Sequence, residues 1–223
     1  MGTLLSLIQS RITDILYTAL ILIIAFPVHE IAHAYTAYKL GDPTAKNQGR
    51  FSLNPLKHLD PLGTICILLF QFGWAKPVPV NPNNFKNRKG GMAVTAISGP
   101  LSNLILAFIS IILRFVLALA GSGMNANLYN TVDTFLDYSA QINIGLCIFN
   151  LLPLPPLDGS DILLFFLPER VGDFFYRYAM YFQILLFVLI ATPIFSKPLS
   201  FLVNNVYNNL FSIVNLFFSP FMG

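Results

Sequence analysis

The sequence contains few charged residues. Of its 223 residues only 10% are Asp, Glu, Lys or Arg, whereas 55% are hydrophobic. An average soluble domain carries roughly 25% charged residues, so this composition excludes an ordinary water-soluble domain and indicates an integral membrane protein. The sequence also lacks an internal period of the kind that defines a repeat array. We therefore expect a single membrane domain over residues 1–223, without a separate regulatory domain.

Cysteine and histidine are also scarce. Cys66 and Cys147 lie far apart in apolar runs, without a motif such as C-x-x-C. This spacing argues against a disulfide framework and against a thiolate metal site, and we interpret both residues as small core residues. The chain has three histidines, two of which fall within one five-residue stretch. A metal site would therefore draw on a very small set of imidazoles together with carboxylates.

The basic residues are concentrated in one part of the chain. The net charge is +3, and eight of the thirteen basic residues lie between residues 39 and 89. Such a cluster can bind nucleic acid, but next to apolar spans it is typical of loops on the cytoplasmic side of a membrane. We favour the second interpretation and expect a lipid bilayer, and no nucleic acid, among the partners.

Apolar runs and helix breakers divide the chain into about five predicted membrane spans. The first helix is predicted from about Ile12 to about Leu40, where Gly41-Asp42-Pro43 ends it. The predicted fold is an all-α polytopic helical bundle with a core over residues 12–165 and additional C-terminal spans within 178–218. The later spans are predicted at residues 92–120, 132–152, 178–194 and 199–218.

Two shorter stretches follow different patterns. Residues 61–75 are mostly apolar but too few to cross a bilayer, which predicts a re-entrant or interfacial segment. Residues 75–82 alternate prolines with β-branched residues, which predicts a short extended, β-like stretch. If 61–75 does not cross, both basic stretches share one side and the uncharged loop 121–130 lies opposite. The positive-inside rule then makes the basic side cytoplasmic.

The stretch His29-Glu30-Ile31-Ala32-His33 has the pattern H-E-x-x-H in a strongly helical run. Positions i and i+4 place both imidazoles on one helix face, where they can hold one zinc ion. Glu30 projects about 100° away, and from there a carboxylate can take a proton from water that the metal has acidified. Such groups are costly inside hydrocarbon unless they bind something or line a wet cavity. The pattern therefore predicts a metallopeptidase site.

A catalytic zinc site needs a third protein ligand and an open position. His58 and Asp158 are the two leading candidates. His58 lies in a polar stretch beside a basic loop, whereas Asp158 follows an apolar span and a proline-rich segment. The first span and the span ending near Leu152 both run towards the cytoplasmic face, so Asp158 can meet the histidines if the prolines bend the chain back into the membrane.

Several further motifs accompany these residues, and together they span residues 26 to about 165. With them the chain resembles the site-2 protease family of intramembrane zinc metalloproteases, in its compact form without a PDZ domain. The motifs are Phe26 to Ala34, Gly41 to Ala45, Asn54-Pro55, His58 to Pro61, Gly73 to Val80, Ser98-Gly99-Pro100 with Asn103, and Asn150 to Gly159.

The resemblance implies one Zn²⁺ per chain, held by His29, His33 and Asp158, with Glu30 activating the water. It also places Asn150 near the metal, where an amide can donate a hydrogen bond to the developing oxyanion. The alternative for Asn150 is a hydrogen bond to a neighbouring helix. We interpret the Gly99, Pro100 and Asn103 motif as helix packing.

The predicted function is hydrolysis of peptide bonds within or next to transmembrane segments of membrane proteins. The substrate partner is a membrane-protein helix, and the predicted location is a prokaryotic plasma membrane with the active site towards the cytoplasm. Two alternatives stay open: a metal-binding membrane transporter, and a catalytically inactive relative that binds membrane helices. The sequence does not identify the substrate, and it does not fix the oligomeric state.

Overall fold

The structure is a computed structural model and describes residues 2–58, 60–61, 63, 76–190 and 192–221. Within these residues the regular secondary structure is helical, with no β-strand. Short 3-10 helices occur at Pro55–Lys57, Pro82–Asn84, Gly121–Gly123 and Ser219–Phe221. The α-helices are α1 (Gly2–Lys39), α2 (Thr44–Asn47), α3 (Arg88–Ala120), α4 (Ala126–Asn150), α5 (Asp158–Phe166), α6 (Glu169–Arg177), α7 (Ala179–Ile190) and α8 (Pro193–Phe218).

Two of the described helices are long and apolar enough to cross a membrane, α1 over Arg11–Lys39 and the whole of α3. A third is counted when α6 and α7, which meet at a bend of 67°, are taken as one span. The chain is therefore an all-α membrane protein. Helices α4, α7 and α8 lie where three further spans were expected, but the total of five spans stays a prediction.

Helix α1 ends where the sequence predicted and begins earlier. It stops at Lys39, and Gly41 follows in the left-handed region with φ of 110°, which glycine adopts without strain. It starts at Gly2 rather than near Ile12, because no glycine or proline interrupts residues 3–11. Pro27 lies inside the helix, which continues on both sides of it.

Helix α3 is the centre of the bundle and contacts α1, α4, α5 and α8. Its outward face carries exposed apolar side chains at helical spacing, whereas its inward face carries small or polar buried residues. This is the arrangement expected when the outer solvent is lipid, and small inward residues let neighbouring helices approach closely. The exposed residues include Val94, Ile97, Leu101, Ile105 and Ile109, and the buried ones include Thr95, Ala96, Gly99, Asn103 and Ala107.

One end of the bundle is tied together by an ion-pair cluster. Arg114 of α3 donates to both carboxylate oxygens of Asp133 at 2.8 and 2.9 Å, and also to Asp137 and to the Tyr207 hydroxyl. Ile111 and Phe115 lie on the same stretch of α3 and form an apolar cluster with α4 and α8. Helices α3, α4 and α8 are thus joined by polar and apolar contacts at the same level.

The proline-rich segment between α4 and α5 forms turns, as predicted. Helix α4 ends at Asn150 and α5 begins at Asp158, so the chain reverses within a few residues. Gly159 makes this packing feasible, because a Cβ there would lie 2.3 Å from the carbonyl oxygen of Leu151 and 2.4 Å from that of Leu152. The turn brings the first residue of α5 against α1 and α3.

Residues 76–81, here called the strap, run without helix or strand across the cleft beside α1. Arg50 donates to the carbonyl oxygens of Lys76 and Pro77 at one end. Asp42 accepts the Asn81 N–H at 2.7 Å at the other. The predicted extended backbone is consistent with this course, although a β-like pairing stays a prediction. The predicted re-entrant segment 61–75 lies almost entirely outside the described residues.

Candidate metal centre

The two histidines of the H-E-x-x-H motif face each other on α1. Their Nε2 atoms are 3.0 Å apart, and both side chains are buried. One helical turn separates them, so the spacing that the sequence shows is sufficient to bring the two rings together. The same turn places Glu30 beside the pair.

The carboxylate of Asp158 lies against both rings. Its Oδ2 is 3.2 Å from Nε2 of His29, and its Oδ1 is 3.3 Å from Nε2 of His33. Among the described residues these three side chains form the group of His, Cys, Asp and Glu able to share one metal ion. The proline-broken turn before α5 is what brings the carboxylate to this depth.

These distances fit a zinc site. Zn–N and Zn–O bonds of about 2.0–2.1 Å in a tetrahedron place neighbouring ligand atoms about 3.3 Å apart. The observed separations of 3.0, 3.2 and 3.3 Å are close to that value. In addition, Asp158 Oδ2 is buried without a hydrogen-bond partner, which is costly unless something else satisfies it. The donor set of two imidazoles and one carboxylate is also one that zinc uses in peptidases.

Helix α3 closes the site from the opposite side. A Cβ at Gly99 would lie 2.3 Å from Nε2 of His33 and 2.6 Å from Cε1 of His29, so only glycine fits. The Thr95 carbonyl oxygen is 2.7 Å from Nδ1 of His33. The side-chain amide of Asn103 is 3.2 Å from Nδ1 of His29. Both imidazoles are therefore held from behind by α3.

Glu30 faces the cleft between α1 and the strap. Its Oε2 accepts the backbone N–H of Val78 at 2.9 Å, and the side chain is buried. This contact links the carboxylate to an irregular segment rather than to another helix. Glu30 is thus held beside His29, His33 and Asp158, here called the metal-ligand cluster, without belonging to it.

A cavity of about 740 Å³ opens in front of these residues. The metal-ligand cluster and Glu30 line it, together with strap residues and the apolar side chains of α4 and α7. A space of this size is within the range of ligand-binding clefts in proteins. Its further lining includes Val78, Val80, Phe149, Asn150, Asp161, Gln183 and Leu186.

The remaining predicted residues lie in distinct places. Asn150 lines the cavity and donates to the Leu146 carbonyl of its own helix at 3.0 Å. His58 is fully buried away from the cluster, with Nε2 2.6 Å from the Ser52 carbonyl oxygen. Cys147 is buried, as expected of a core residue, and Cys66 lies outside the described residues.

Sequence reasoning missed three features of the site. The Thr95 and Asn103 contacts depend on which face of α3 meets α1, which no local pattern specifies. Asp161, one turn after Asp158, also lines the cavity, and its i, i+3 spacing from Asp158 was the available signal. The Gly99 and Asn103 motif was interpreted as packing, although both residues contact the imidazoles.

Comparisons with known proteins find relatives along most of the chain. A family model described as Peptidase family M50 matches residues 118–192. "Putative zinc metalloprotease YwhC" of Bacillus subtilis is 43% identical over 206 residues, which cover 92% of this chain and 94% of that protein. "Putative zinc metalloprotease Rip2" of Mycolicibacterium smegmatis is 27% identical over 141 residues, which cover 61% of this chain and 51% of that protein. No solved structure matches the chain.

The family match and the geometry involve overlapping parts of the molecule. The matched residues 118–192 include Asn150 and Asp158, which form one wall of the cavity opposite α1. The similarity to the Bacillus protein extends over nearly the full length of both chains. This chain belongs to Peptidase family M50.

Proposed function

We propose that this protein is a zinc metalloendopeptidase that hydrolyses peptide bonds within or next to transmembrane segments of membrane proteins. The observation that carries the proposal is the triangle of ligand atoms from His29, His33 and Asp158, with edges of 3.0–3.3 Å. Its position in a chain with membrane-spanning helices makes lipid-embedded proteins the substrate class.

His29, His33 and Asp158 hold the metal in this proposal, and the cavity supplies the open position. A bound Zn²⁺ supplies a Lewis acid that acidifies water and polarises the substrate carbonyl. The carboxylate of Asp158 would offset part of the metal charge. Buried metal charges need such a partner, because hydrocarbon does not solvate them.

Glu30 acts as the general base. It lies next to His29 in sequence and lines the cavity, so it reaches the water that attacks the scissile carbonyl. It takes the proton from that water and returns it to the leaving amine nitrogen. The Val78 N–H, 2.9 Å from Oε2, keeps the carboxylate pointing into the cleft.

Asn150 is the proposed oxyanion donor. The side-chain amide of Asn150 has two hydrogens, and one of them is donated to the Leu146 carbonyl oxygen. The second can donate to the oxygen that gains negative charge when the carbonyl is attacked. Its place on the cavity wall supports this role.

The substrate segment binds in an extended form along the strap. Prolines at 77 and 79 leave the strap few N–H groups, and the Val78 N–H contacts Glu30. Pairing with a substrate strand would therefore use the Val78 carbonyl and the backbone of Val80. Strand addition of this kind presents a peptide bond in a fixed orientation.

In the proposed topology, five spans form one membrane domain in a prokaryotic plasma membrane. The active site then lies towards the cytoplasm. The basic residues of 39–89 flank the end of α1 and the start of α3, so both helix ends share one side.

The test uses purified protein in liposomes with a single-span peptide that carries a fluorophore and a quencher at its two ends. We expect zinc-dependent cleavage in the wild type and none in Glu30→Gln, which should keep its zinc. In parallel, Asp158→Ala should lose zinc and His58→Ala should keep it. Cleavage by folded Glu30→Gln would exclude Glu30 as the general base. Zinc loss in His58→Ala but not in Asp158→Ala would exclude Asp158 as the third ligand.

A further inference from the structure

Asn103 is a buried polar residue next to the metal-ligand cluster, yet it is not a ligand. Only 1% of its surface is exposed, and its amide lies 3.2 Å from Nδ1 of His29, on the side of the ring away from Asp158. Its Oδ1 is buried without a hydrogen-bond partner. The Oδ1 of Asn143 is also buried without a partner, so the feature that distinguishes Asn103 is the contact of its amide with His29.

Two asparagines of α4, the buried Asn143 and the partly buried Asn150, use their amides differently. Asn143 and Asn150 each donate to the carbonyl oxygen four residues earlier in their own helix, at 2.9 and 3.0 Å. The hydrogen bond of the Asn103 amide instead crosses from α3 to an imidazole on α1. Helix packing alone explains the first pattern but not the second.

The contact between His33 and the Thr95 carbonyl shows which ring nitrogen carries the hydrogen when the other is free to bind a metal. A carbonyl oxygen can only accept, so the contact with Thr95 places the hydrogen of His33 on Nδ1 and leaves Nε2 with a lone pair for a metal. His29 needs the same tautomer to coordinate through Nε2. Its Nδ1–H then requires an acceptor at the position where Asn103 lies.

We infer that Asn103 is the positioning residue of His29 and accepts a hydrogen bond from its Nδ1–H when Nε2 binds zinc. The oxygen and nitrogen of an asparagine amide exchange places on a half-turn about χ2, so the oxygen can face Nδ1 without any other movement. This inference rests on the proposed function, because it adds a residue to the same zinc site.

The experiment measures zinc affinity of the detergent-purified protein by competition with a chromophoric chelator. Asn103→Leu keeps the number and branching of the side-chain heavy atoms but removes the acceptor, and we expect its zinc affinity to fall about 10- to 100-fold. Asn103→Asp keeps an acceptor and has no donor, so its affinity should equal or exceed that of the wild type. Asn143→Leu is the matched control, since it removes an equally buried asparagine and should leave the affinity unchanged.

A second readout is the visible absorption of the Co²⁺-substituted protein. A loosened His29 should change the ligand-field bands in Asn103→Leu but not in Asn103→Asp or Asn143→Leu. Wild-type zinc affinity in Asn103→Leu, or an equal loss in Asn143→Leu, would overturn the inference. If Asn103→Leu does not fold, a large affinity loss in folded Asn103→Asp would overturn it instead.

His33→Ala separates this inference from the proposed function. If His33→Ala binds zinc as the wild type does, the zinc site itself is wrong. If His33→Ala loses zinc while Asn103→Leu keeps it, the site stands and only the role of Asn103 fails.

Discussion

Gly99 is the residue at which helix α3 comes closest to the imidazoles. The space that a side chain would need there is already occupied by atoms of both rings. Glycine is therefore required at position 99 of the motif Ser98-Gly99-Pro100 by the two imidazoles as well as by helix packing. Both rings are pressed between this backbone and the carboxylate of Asp158.

We expect Gly99→Ala to weaken zinc binding by about fivefold or more, because overpacking of this kind costs about 1–3 kcal/mol and acts directly on the rings. Chelator competition gives the affinity. Gly145→Ala is the matched control, since its Cβ would meet only Val203, at 4.0 Å. Equal zinc affinities for the two variants would contradict this account.

The sequence predicted that His29 and His33 would lie on one helix face, but it did not predict which residues surround them. His29 and His33 follow from a local period, since any α-helix brings positions i and i+4 together. Asp158 could not be chosen over His58 from local pattern alone, because its position depends on how the chain turns after α4. The Asn103 contact depends on the rotation of α3 about its own axis, which is set by packing.

The strap is an element without regular structure, and its shape depends on its two anchors. Burial alone would raise the pKa of Asp42, but hydrogen bonds from Thr44, from the Asn81 N–H and from Asn84 outweigh burial and lower it below its ordinary value of 3.8. A carboxyl group with a lowered pKa in the folded state stabilises that state above its ordinary pKa. This stabilisation is lost as the pH falls through the lowered pKa.

We expect the unfolding temperature of the wild type to exceed that of Asp42→Asn by a constant amount above pH about 4. This difference should shrink at lower pH as Asp42 is protonated. Thermal unfolding in detergent from pH about 6 to about 2 measures it. The exposed Asp173→Asn serves as control and should show no such difference. A difference for Asp42→Asn that stays constant down to the lowest pH would refute the assignment.

Element positions were predictable to different degrees. The ends of α1 and α4 were marked by Gly41 and by the prolines after Leu152, which act locally. The start of α1 was predicted too late, because an apolar pattern marks where a helix enters lipid and not where it begins. The strap was correctly predicted to be non-helical, since alternating prolines forbid a helix.

At the scale of the whole molecule, the bundle is joined far from the metal centre by Arg114 and its partners. This cluster was not predicted, because the local sequence around Arg114, Asp133 and Asp137 does not indicate that these residues contact one another. The sequence predicted the class of molecule and the helix that carries the H-E-x-x-H motif. The relative placement of α3, α4 and α8 came only from the structure.

We expect Arg114→Met to lower the free energy of unfolding by about 2 kcal/mol, because the partly exposed carboxylates of Asp133 and Asp137 would lose their cation and its hydrogen bonds. Unfolding in a denaturing detergent gives the value. The exposed Arg11→Met is the control and should change stability by less than about 0.5 kcal/mol. A loss no larger than in this control would show that the cluster does not hold the helices together.

The distance along the chain between the H-E-x-x-H motif and Asp158 has a consequence for biosynthesis. On the proposed ligand set, the ribosome must finish α3 and α4 before the third ligand exists. Those helices must also insert and pack before the carboxylate reaches the imidazoles. The growing chain is therefore a peptidase without a complete metal site, and neighbouring nascent membrane proteins are safe from it until its own insertion is finished.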